Sequence, residues 1–212
     1  MTKLATRLVM VFALLTAGFT QAAQDNPQVV LKTEIGDILV ELFPKAAPVS
    51  VDNFVKLVND YHYDGLIFHR VISGFMIQAG GFTFDFSPRE SSRGPIVNES
   101  SNGLKNKRGT LAMARMNDPD SASAQFFINH KSNGFLNPKG DNKGYAVFGA
   151  VVAGMNVMDA IAAVETQTLG YYADVPVKPI RILSARLVNP ESWTPLPEPA
   201  PAPVIEKPVP IR

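Results

Sequence analysis

The chain has 212 residues, 46% hydrophobic and 18% charged, a composition typical of a globular protein with one main domain. Lysine and arginine total 20 against 19 aspartates and glutamates, so the charge balance gives no reason to expect binding along a nucleic-acid backbone. Cysteine is absent, which excludes disulfides, thiolate nucleophiles and cysteine-ligated metals. The three histidines are not paired at a metal-ligand spacing, so we expect neither a metal nor another cofactor.

The chain begins with a segment typical of a secretory signal peptide. Lys3 and Arg7 precede an apolar run over residues 8–19, and small residues at 22–23 suit a signal peptidase. The run is shorter than the roughly 20 residues that span a bilayer, although an uncleaved anchor is the alternative. We expect a signal peptide over residues 1–22, a periplasmic location, and no membrane association after cleavage.

The folded domain, predicted over residues 23–189, opens with a hairpin and a helix. Residues 29–33 and 38–42 are strand candidates on either side of a turn at Gly36. Pro48 stands near the predicted start of the helix, where its missing N–H costs little. The apolar residues that follow it have helical spacing: Val51, Phe54, Val55 and Val58.

Six more strand candidates follow, at residues 66–72, 75–79, 110–114, 126–129, 146–152 and 180–188. A second helix is predicted after Gly154, with Met155, Met158 and Ile161 on one face. About eight strands and two helices favour a mainly β fold. Because closure removes exposed sheet edges, we expect a closed eight-stranded antiparallel barrel capped by the two helices.

The last 23 residues, 190–212, hold eight of the 17 prolines. Repeated X-Pro steps keep a chain extended without a hydrophobic core. We therefore expect a disordered, proline-rich tail over 190–212 that the fold does not require. A semi-rigid spacer, or a segment that docks on a proline-binding partner, is the alternative.

One segment, from Phe68 to Gly81, alternates a cation and an amide with large apolar residues. In a strand, Arg70 shares a face with Phe68 and Ile72, and a cation among such neighbours needs an explanation. The sequence contains no nucleophile elbow, zinc-protease motif or phosphate-binding loop. Nucleophilic and metal-dependent mechanisms are therefore disfavoured.

This segment resembles the signature of the cyclophilin family of peptidyl-prolyl cis/trans isomerases, especially the bacterial periplasmic members. Residues 109–114 and 121–128 resemble further family motifs, and the resemblance runs from about Val29 to Val188. It implies the eight-stranded barrel with two capping helices. It also implies an enzyme that accelerates rotation about X-Pro bonds and assists folding of exported proteins. The implied partners are proline-containing polypeptides and not nucleic acids, and we expect a monomer.

The resemblance also assigns roles to individual residues. The catalytic arginine falls on Arg70. Substrate-binding positions comprise an apolar proline pocket (Phe75, Met76, Phe127, Leu136), polar peptide contacts (Gln78, Gln125), the groove lining (Ala114, Arg115) and the rim (Phe135, Tyr145). Family members that bind cyclosporin tightly have tryptophan in place of Phe135, so the resemblance implies weak cyclosporin binding.

The residue types suit this chemistry. An X-Pro amide resists rotation by roughly 20 kcal/mol because its nitrogen lone pair is delocalised into the carbonyl. Twisting localises the lone pair, so a fixed cation that donates a hydrogen bond to the prolyl nitrogen stabilises the twisted state. Arginine stays protonated and presents a rigid fork. Since no proton is transferred, His69 is expected to be a structural histidine.

Two other functions stay open from the sequence. The domain could be a non-catalytic binder or chaperone for proline-containing segments, although Arg70 and Gln78 argue against this. It could also be a barrel that encloses a small apolar ligand, in which case Arg70 and the glutamines would be poorly explained.

Overall fold

The structure is a computed structural model that describes residues 26–197. Ten strands and two helices lie in this range, in the chain order β1 Gln28–Thr33, β2 Gly36–Leu42, α1 Pro48–Asn59, β3 Leu66–Ile72, β4 Met76–Thr83, β5 Thr110–Met113, β6 Phe126–Asn129, β7 Val147–Ala153, α2 Met155–Ala162, β8 Thr166–Leu169, β9 Tyr172–Pro176 and β10 Ile182–Leu187. The predicted signal peptide lies outside the described residues. Within them, no helix is long and apolar enough to cross a membrane.

Eight strands form one antiparallel sheet in the order β10-β1-β2-β7-β5-β6-β4-β3. The two outer strands meet through a bridge between Ile67 and Arg181. Backbone hydrogen bonds extend this contact, from Gly65 N to the Ile182 carbonyl at 2.8 Å and from Phe68 N to the Ile180 carbonyl at 3.0 Å. The predicted mainly β barrel with two helices is confirmed, in a nearly closed form that leaves little free sheet edge.

The barrel interior is filled by aromatic and branched side chains. Phe54 of α1 packs against Tyr63, Phe126 and Phe148 with ring centroids 5.1 to 5.4 Å apart, and all four side chains are fully buried. Aromatic rings of this size bury large apolar areas and pack well at these separations. Helix α1 therefore closes one opening of the barrel through its apolar face.

Both helices begin where their sequences predict. Pro48 is the first residue of α1, and the Glu99 carboxylate, from a distant loop, accepts hydrogen bonds from the N–H groups of Val49 at 3.0 Å and Ser50 at 2.8 Å. This contact satisfies donors that a helix start leaves unpaired. Gly154 precedes α2 with φ +85°, a left-handed conformation that favours glycine.

A hairpin of β8 and β9 was not predicted. The two strands form a separate antiparallel sheet that packs beside β3, outside the barrel order. Every residue of β8 is exposed, so its sequence, Thr166-Gln-Thr-Leu169, carries no alternation of buried and exposed side chains. The periodicity that predicted the other strands was therefore missing here.

The first part of the predicted tail differs from the expectation of disorder. Pro190–Ser192 form a short 3-10 turn, and Trp193 packs against the main hydrophobic core. The N–H of Leu196 donates to Oδ1 of Asp52 on α1 at 2.8 Å. The structured chain thus continues past residue 189 to the end of the described range, because Trp193 supplies apolar area that the surrounding prolines lack. The remaining predicted tail residues, 198–212, lie outside the described residues.

Candidate functional site

Four neighbouring strands place one residue each in line across the outer face of the sheet. Ala112 of β5 pairs with Phe127 of β6, Phe127 pairs with Gln78 of β4, and Gln78 pairs with Arg70 of β3. Since successive residues of a strand face opposite sides, Phe126 points into the barrel while Phe127 faces outward. Phe126 is fully buried in the main core, as its position predicts.

A cavity of about 460 Å³ lies on this outer face. Ten of the eleven site residues predicted from the sequence line it: Arg70, Phe75, Met76, Gln78, Ala114, Arg115, Gln125, Phe127, Leu136 and Tyr145. Phe135 does not line the cavity. Its side chain is 75% exposed and its ring stacks on Phe75 at a centroid distance of 5.6 Å, which places it on the rim.

The apolar part of the cavity is a second, smaller hydrophobic cluster. Met76, Phe127 and Leu136 are buried in it, and Phe75 packs against it with partial exposure. The backbone of Phe75 is held firmly, because its carbonyl accepts hydrogen bonds from His130 N–H and from Nδ2 of Asn133, both at 2.9 Å. The result is a rigid apolar depression suited to a small ring.

The polar part of the cavity faces this depression. Nε of Arg70 lies 3.5 Å from Oδ2 of Asp174, and 43% of the Arg70 side chain is exposed. Nε2 of Gln78 donates to Oε1 of Gln125 at 2.8 Å, which fixes the orientation of both amides relative to each other. A cation and two amides thus stand beside an apolar pocket.

Two glycines of β4, Gly80 and Gly81, leave room for Gln125 to lie close to this strand. A Cβ atom on Gly81 would lie 2.5 Å from Nε2 of Gln125, and one on Gly80 would lie 2.7 Å from the Ala124 carbonyl oxygen. Gly80 also has φ +97°, a conformation that other residues adopt at a cost. The Ala79-Gly80-Gly81 sequence is therefore part of what positions the amide pair.

Arg115 lines the cavity, but its guanidinium group is already engaged. It donates to the carbonyls of Met116 at 2.8 Å and Lys143 at 2.9 Å. It also lies over the ring of Tyr145, 4.7 Å from the centroid. These contacts join two loops at one end of the cavity, so the Arg115 side chain fixes the shape of the groove there.

His69 lines the cavity and was expected to be structural. Burial lowers its pKa to about 4, against opposing contacts with the Ile67 backbone and the Gln125 side chain. Desolvation disfavours the charged imidazolium, so His69 is neutral at physiological pH. Its ring centroid lies 4.7 Å from that of Phe82, a packing contact consistent with the expected structural role.

Four further cavity residues were missed from the sequence: Phe82, Tyr171, Tyr172 and Ala173. Three of them belong to the β8–β9 hairpin or its turn, which forms the wall of the cavity beside Arg70. The sequence does contain a feature typical of a hairpin here: Gly170, with φ +59°, marks a turn between a threonine-rich and a tyrosine-rich segment.

A comparison with protein families agrees with this geometry. A family model described as cyclophilin type peptidyl-prolyl cis-trans isomerase/CLD matches residues 28–187. The chain belongs to this family. Its members are peptidyl-prolyl cis/trans isomerases, and the predicted family and activity are confirmed.

Bacterial members of the family are similar along most of the chain. A peptidyl-prolyl cis-trans isomerase of Acinetobacter baylyi is 50% identical over 162 residues, which cover 76% of this chain and 86% of that protein. Peptidyl-prolyl cis-trans isomerase B of Escherichia coli is 48% identical over 159 residues, covering 74% of this chain and 96% of the relative. Each of these matches spans about 160 residues, so the similarity is not confined to a motif.

Solved structures show the same fold. A cyclophilin type peptidyl-prolyl cis-trans isomerase of Cryptosporidium parvum, in the presence of the dipeptide Ala-Pro, matches with a TM-score of 0.63 and 26% identity. The match covers 76% of this chain and 98% of that one. A cyclophilin of Hirschia baltica matches with a TM-score of 0.61 and 25% identity, over 79% and 75% of the two chains.

Proposed function

We propose that this cyclophilin isomerises X-Pro bonds in exported proteins during their folding, with Arg70 as the catalytic residue. One observation carries the assignment of Arg70: a partly exposed guanidinium group lines the same cavity as the buried apolar cluster of Met76, Phe127 and Leu136. The basic and apolar residues of segment 1–22 support export. In this proposal the working unit is a monomer.

The proline ring of the substrate occupies the apolar cluster, which holds the ring still while the preceding peptide unit turns. The Gln78–Gln125 amide pair binds the peptide backbone on one side. Arg70 then donates a hydrogen bond to the prolyl nitrogen when rotation localises its lone pair. Because this contact is stronger in the twisted state than in either planar state, it lowers the barrier. No bond is broken and no proton is transferred.

Replacing Arg70 tests this assignment. We expect Arg70→Ala to lower kcat/KM at least about tenfold, which corresponds to about 1.4 kcal/mol of barrier, with little change in melting temperature. Arg70→Lys should restore little activity, because a lysine lacks the fixed fork of donors. The measurement is a protease-coupled isomerase assay on short prolyl peptides beside thermal unfolding of each variant.

Arg181 offers a matched control for this experiment. Its side chain is also 43% exposed and ion-paired, to Glu34 at 2.6 Å, but it does not line the cavity. Arg181→Ala should therefore retain activity. Equal activity of Arg70→Ala and the parent protein would reject Arg70 as the catalytic residue. If the parent protein binds prolyl peptides without isomerising them, the chain is the non-catalytic binder.

We further propose that this protein binds cyclosporin weakly because of Phe135. The Phe135 ring is exposed on the rim beside Phe75 and has no hydrogen-bond donor, whereas an indole N–H would supply one. Loss of that bond and of some apolar contact weakens binding on the order of tenfold to a hundredfold.

Phe135→Trp should recover much of this affinity while barely changing turnover of short peptides, because the ring lies outside the cavity. Inhibition constants for cyclosporin, measured on both proteins under the same conditions, check this. Inhibition of the parent protein at low nanomolar drug, or no gain in the variant, would show that another part of the rim controls the affinity.

A further inference from the structure

The tip of the β8–β9 hairpin presents two tyrosines at the edge of the cavity. Tyr171 is fully exposed and Tyr172 is 48% exposed, and both line the cavity together with Arg70. Exposed aromatic side chains that adjoin a binding pocket are common recognition elements, because a large rigid surface binds at a low cost in conformational entropy. The roles inferred for the other cavity residues leave these two tyrosines unexplained.

Tyr172 is held in place by two rings from another part of the chain. Its ring centroid lies 5.3 Å from Phe82 and 5.0 Å from Phe86, both in edge-to-face arrangements, and Phe82 and Phe86 stack at 4.7 Å. Phe86, which completes this cluster, adopts φ +64°, an unusual conformation for a bulky residue. Tyr172 is therefore fixed in a packed aromatic cluster, and the exposed Tyr171 lies next to it in the turn.

The hairpin also lies at a defined end of the cavity. Across the sheet the order is β5, β6, β4 and β3, with β9 beside β3, so Arg115 lies at one end and the hairpin at the other. Adjacent strands are about 4.8 Å apart, so two to three such spacings place the hairpin roughly 10–14 Å from the proline pocket on β4 and β6. An extended peptide advances about 3.3 Å per residue, so the hairpin is reached about three to four residues from the proline.

The charges next to the hairpin cancel. Asp174 of β9 pairs with Arg70 at 3.5 Å, so these two opposite charges offset each other beside the tyrosines. A charged side chain of a bound peptide would gain little there, whereas an aromatic or large apolar side chain could pack on the exposed rings.

We propose that Tyr171 and Tyr172 form a second subsite of the peptide groove, which takes an aromatic or large apolar side chain about three to four residues from the proline. This inference rests on the proposed binding of prolyl peptides in the cavity. The subsite gives the enzyme a preference among proline-containing segments: those with an aromatic residue at the right offset are isomerised faster than those without.

Two peptide series test the subsite on the full chain. Each peptide contains one proline and one phenylalanine, placed one to four residues before the proline in one series and after it in the other, with glycine replacing phenylalanine in the reference peptides. We expect the ratio of kcat/KM for phenylalanine over glycine peptides to reach about three- to tenfold at about three to four residues on one side of the proline. Tyr171→Ala and Tyr172→Ala should reduce that ratio towards one.

Tyr61→Ala is the matched control, since Tyr61 is 60% exposed but does not line this cavity. It should keep the preference intact. A phenylalanine preference that survives both hairpin substitutions, or no preference at any offset, would overturn the subsite. Equilibrium binding of the same peptides, followed by fluorescence anisotropy, separates the two hypotheses: a protein without isomerase activity that still prefers phenylalanine peptides retains the subsite and loses only the proposed function.

Discussion

The guanidinium group of Arg70 is contacted on one side by the carboxylate of Asp174. The 3.5 Å approach is made by Nε of Arg70, so the two terminal nitrogens stay available. Asp174 itself has φ +61°, a conformation that only a few per cent of residues other than glycine adopt. The hairpin therefore holds a carboxylate against the inner nitrogen of the guanidinium group, and we expect Asp174 to position Arg70.

Removing the charge of Asp174 should lower kcat/KM, because Arg70 would then be held less firmly. An exposed ion pair is worth about 1 kcal/mol at most, so we expect Asp174→Asn to lower kcat/KM up to about fivefold, with most of the loss in kcat. Asp174→Glu should retain more activity than Asp174→Asn. Steady-state kinetics of both variants check this, beside thermal unfolding to confirm that they fold.

A double-mutant cycle separates positioning from a purely structural role. If Asp174 acts through Arg70, Asp174→Asn should cause no further loss in the Arg70→Ala background. Additive losses would show that Asp174 supports the site by another route. A rise in activity would show that the carboxylate only attenuates the cation.

Among the elements, those that pack one face on the core were the predictable ones. Strands β3 and β6 begin and end at the predicted residues, since their apolar residues are buried and their ends carry turn signals. The inward face of Phe126 and the outward face of Phe127 follow from strand alternation alone. The β8–β9 hairpin could not be found in this way, because its side chains are mostly exposed and its position depends on contacts with β3 and with Phe82.

In the candidate site, the residues that lie in contiguous sequence motifs were predictable, and the contacts between distant parts of the chain were not. Its residues on β3, β4 and β6 belong to contiguous motifs that the family resemblance covers. The contact of Asp174 with Arg70 joins residues more than a hundred positions apart, and no local pattern in the sequence indicates it. The packing of Trp193 against the core was not predicted either, because the prolines around it favour an extended chain without a core.

The segment after β10 should contribute to stability up to Pro197. Trp193 packs against the core, and Lys56 of α1 donates to the Leu196 carbonyl at 3.2 Å. We expect a chain ending at residue 189 to melt about 5–10 °C lower than the full chain, since losing a partly buried tryptophan costs about 2–3 kcal/mol. Isomerase activity on short peptides should persist at low temperature.

A chain ending at Pro197 is the control, and by its proline-rich composition the removed segment should leave the melting temperature unchanged. Trp193→Ala in the full chain should reproduce most of the loss. Equal melting temperatures for the two truncated chains would show that the contacts of Trp193 and Leu196 add nothing to stability.

At the scale of the whole molecule, the barrel buries two histidines that resist protonation. Burial lowers the pKa of His69 to about 4, and it lowers the pKa of His62 as well, against the opposing contact of His62 with the Gly80 carbonyl. In the unfolded chain both side chains take up protons near pH 6.5. Hydrogen bonds from Arg181 hold the pKa of the Glu34 carboxyl below its usual range. Burial raises the pKa of the Asp64 carboxyl, but hydrogen bonds from Arg186 outweigh this effect, so that pKa is also below its usual range.

These shifts predict the direction of the pH dependence. Between about pH 6.5 and 4 the unfolded chain binds more protons than the folded one, so the free energy of unfolding falls as the pH is lowered. His69 alone accounts for about 3 kcal/mol over this window. The carboxyls of Glu34 and Asp64 add their loss from about pH 5 downwards, where they begin to protonate in the unfolded chain. Between pH 6 and 8, by contrast, kcat/KM should stay nearly constant, since His69 is neutral and the reaction transfers no proton.

Denaturant unfolding at half-unit steps from pH 7 to 4.5 measures this dependence, and His69→Gln should flatten the curve because glutamine does not titrate. Stability that is constant over this range would mean that His69 is protonated as readily in the folded chain as in the unfolded one. A bell-shaped activity profile between pH 6 and 8, with the fold intact, would show instead that an ionisable side chain takes part in the reaction, which the twisting mechanism at Arg70 does not require.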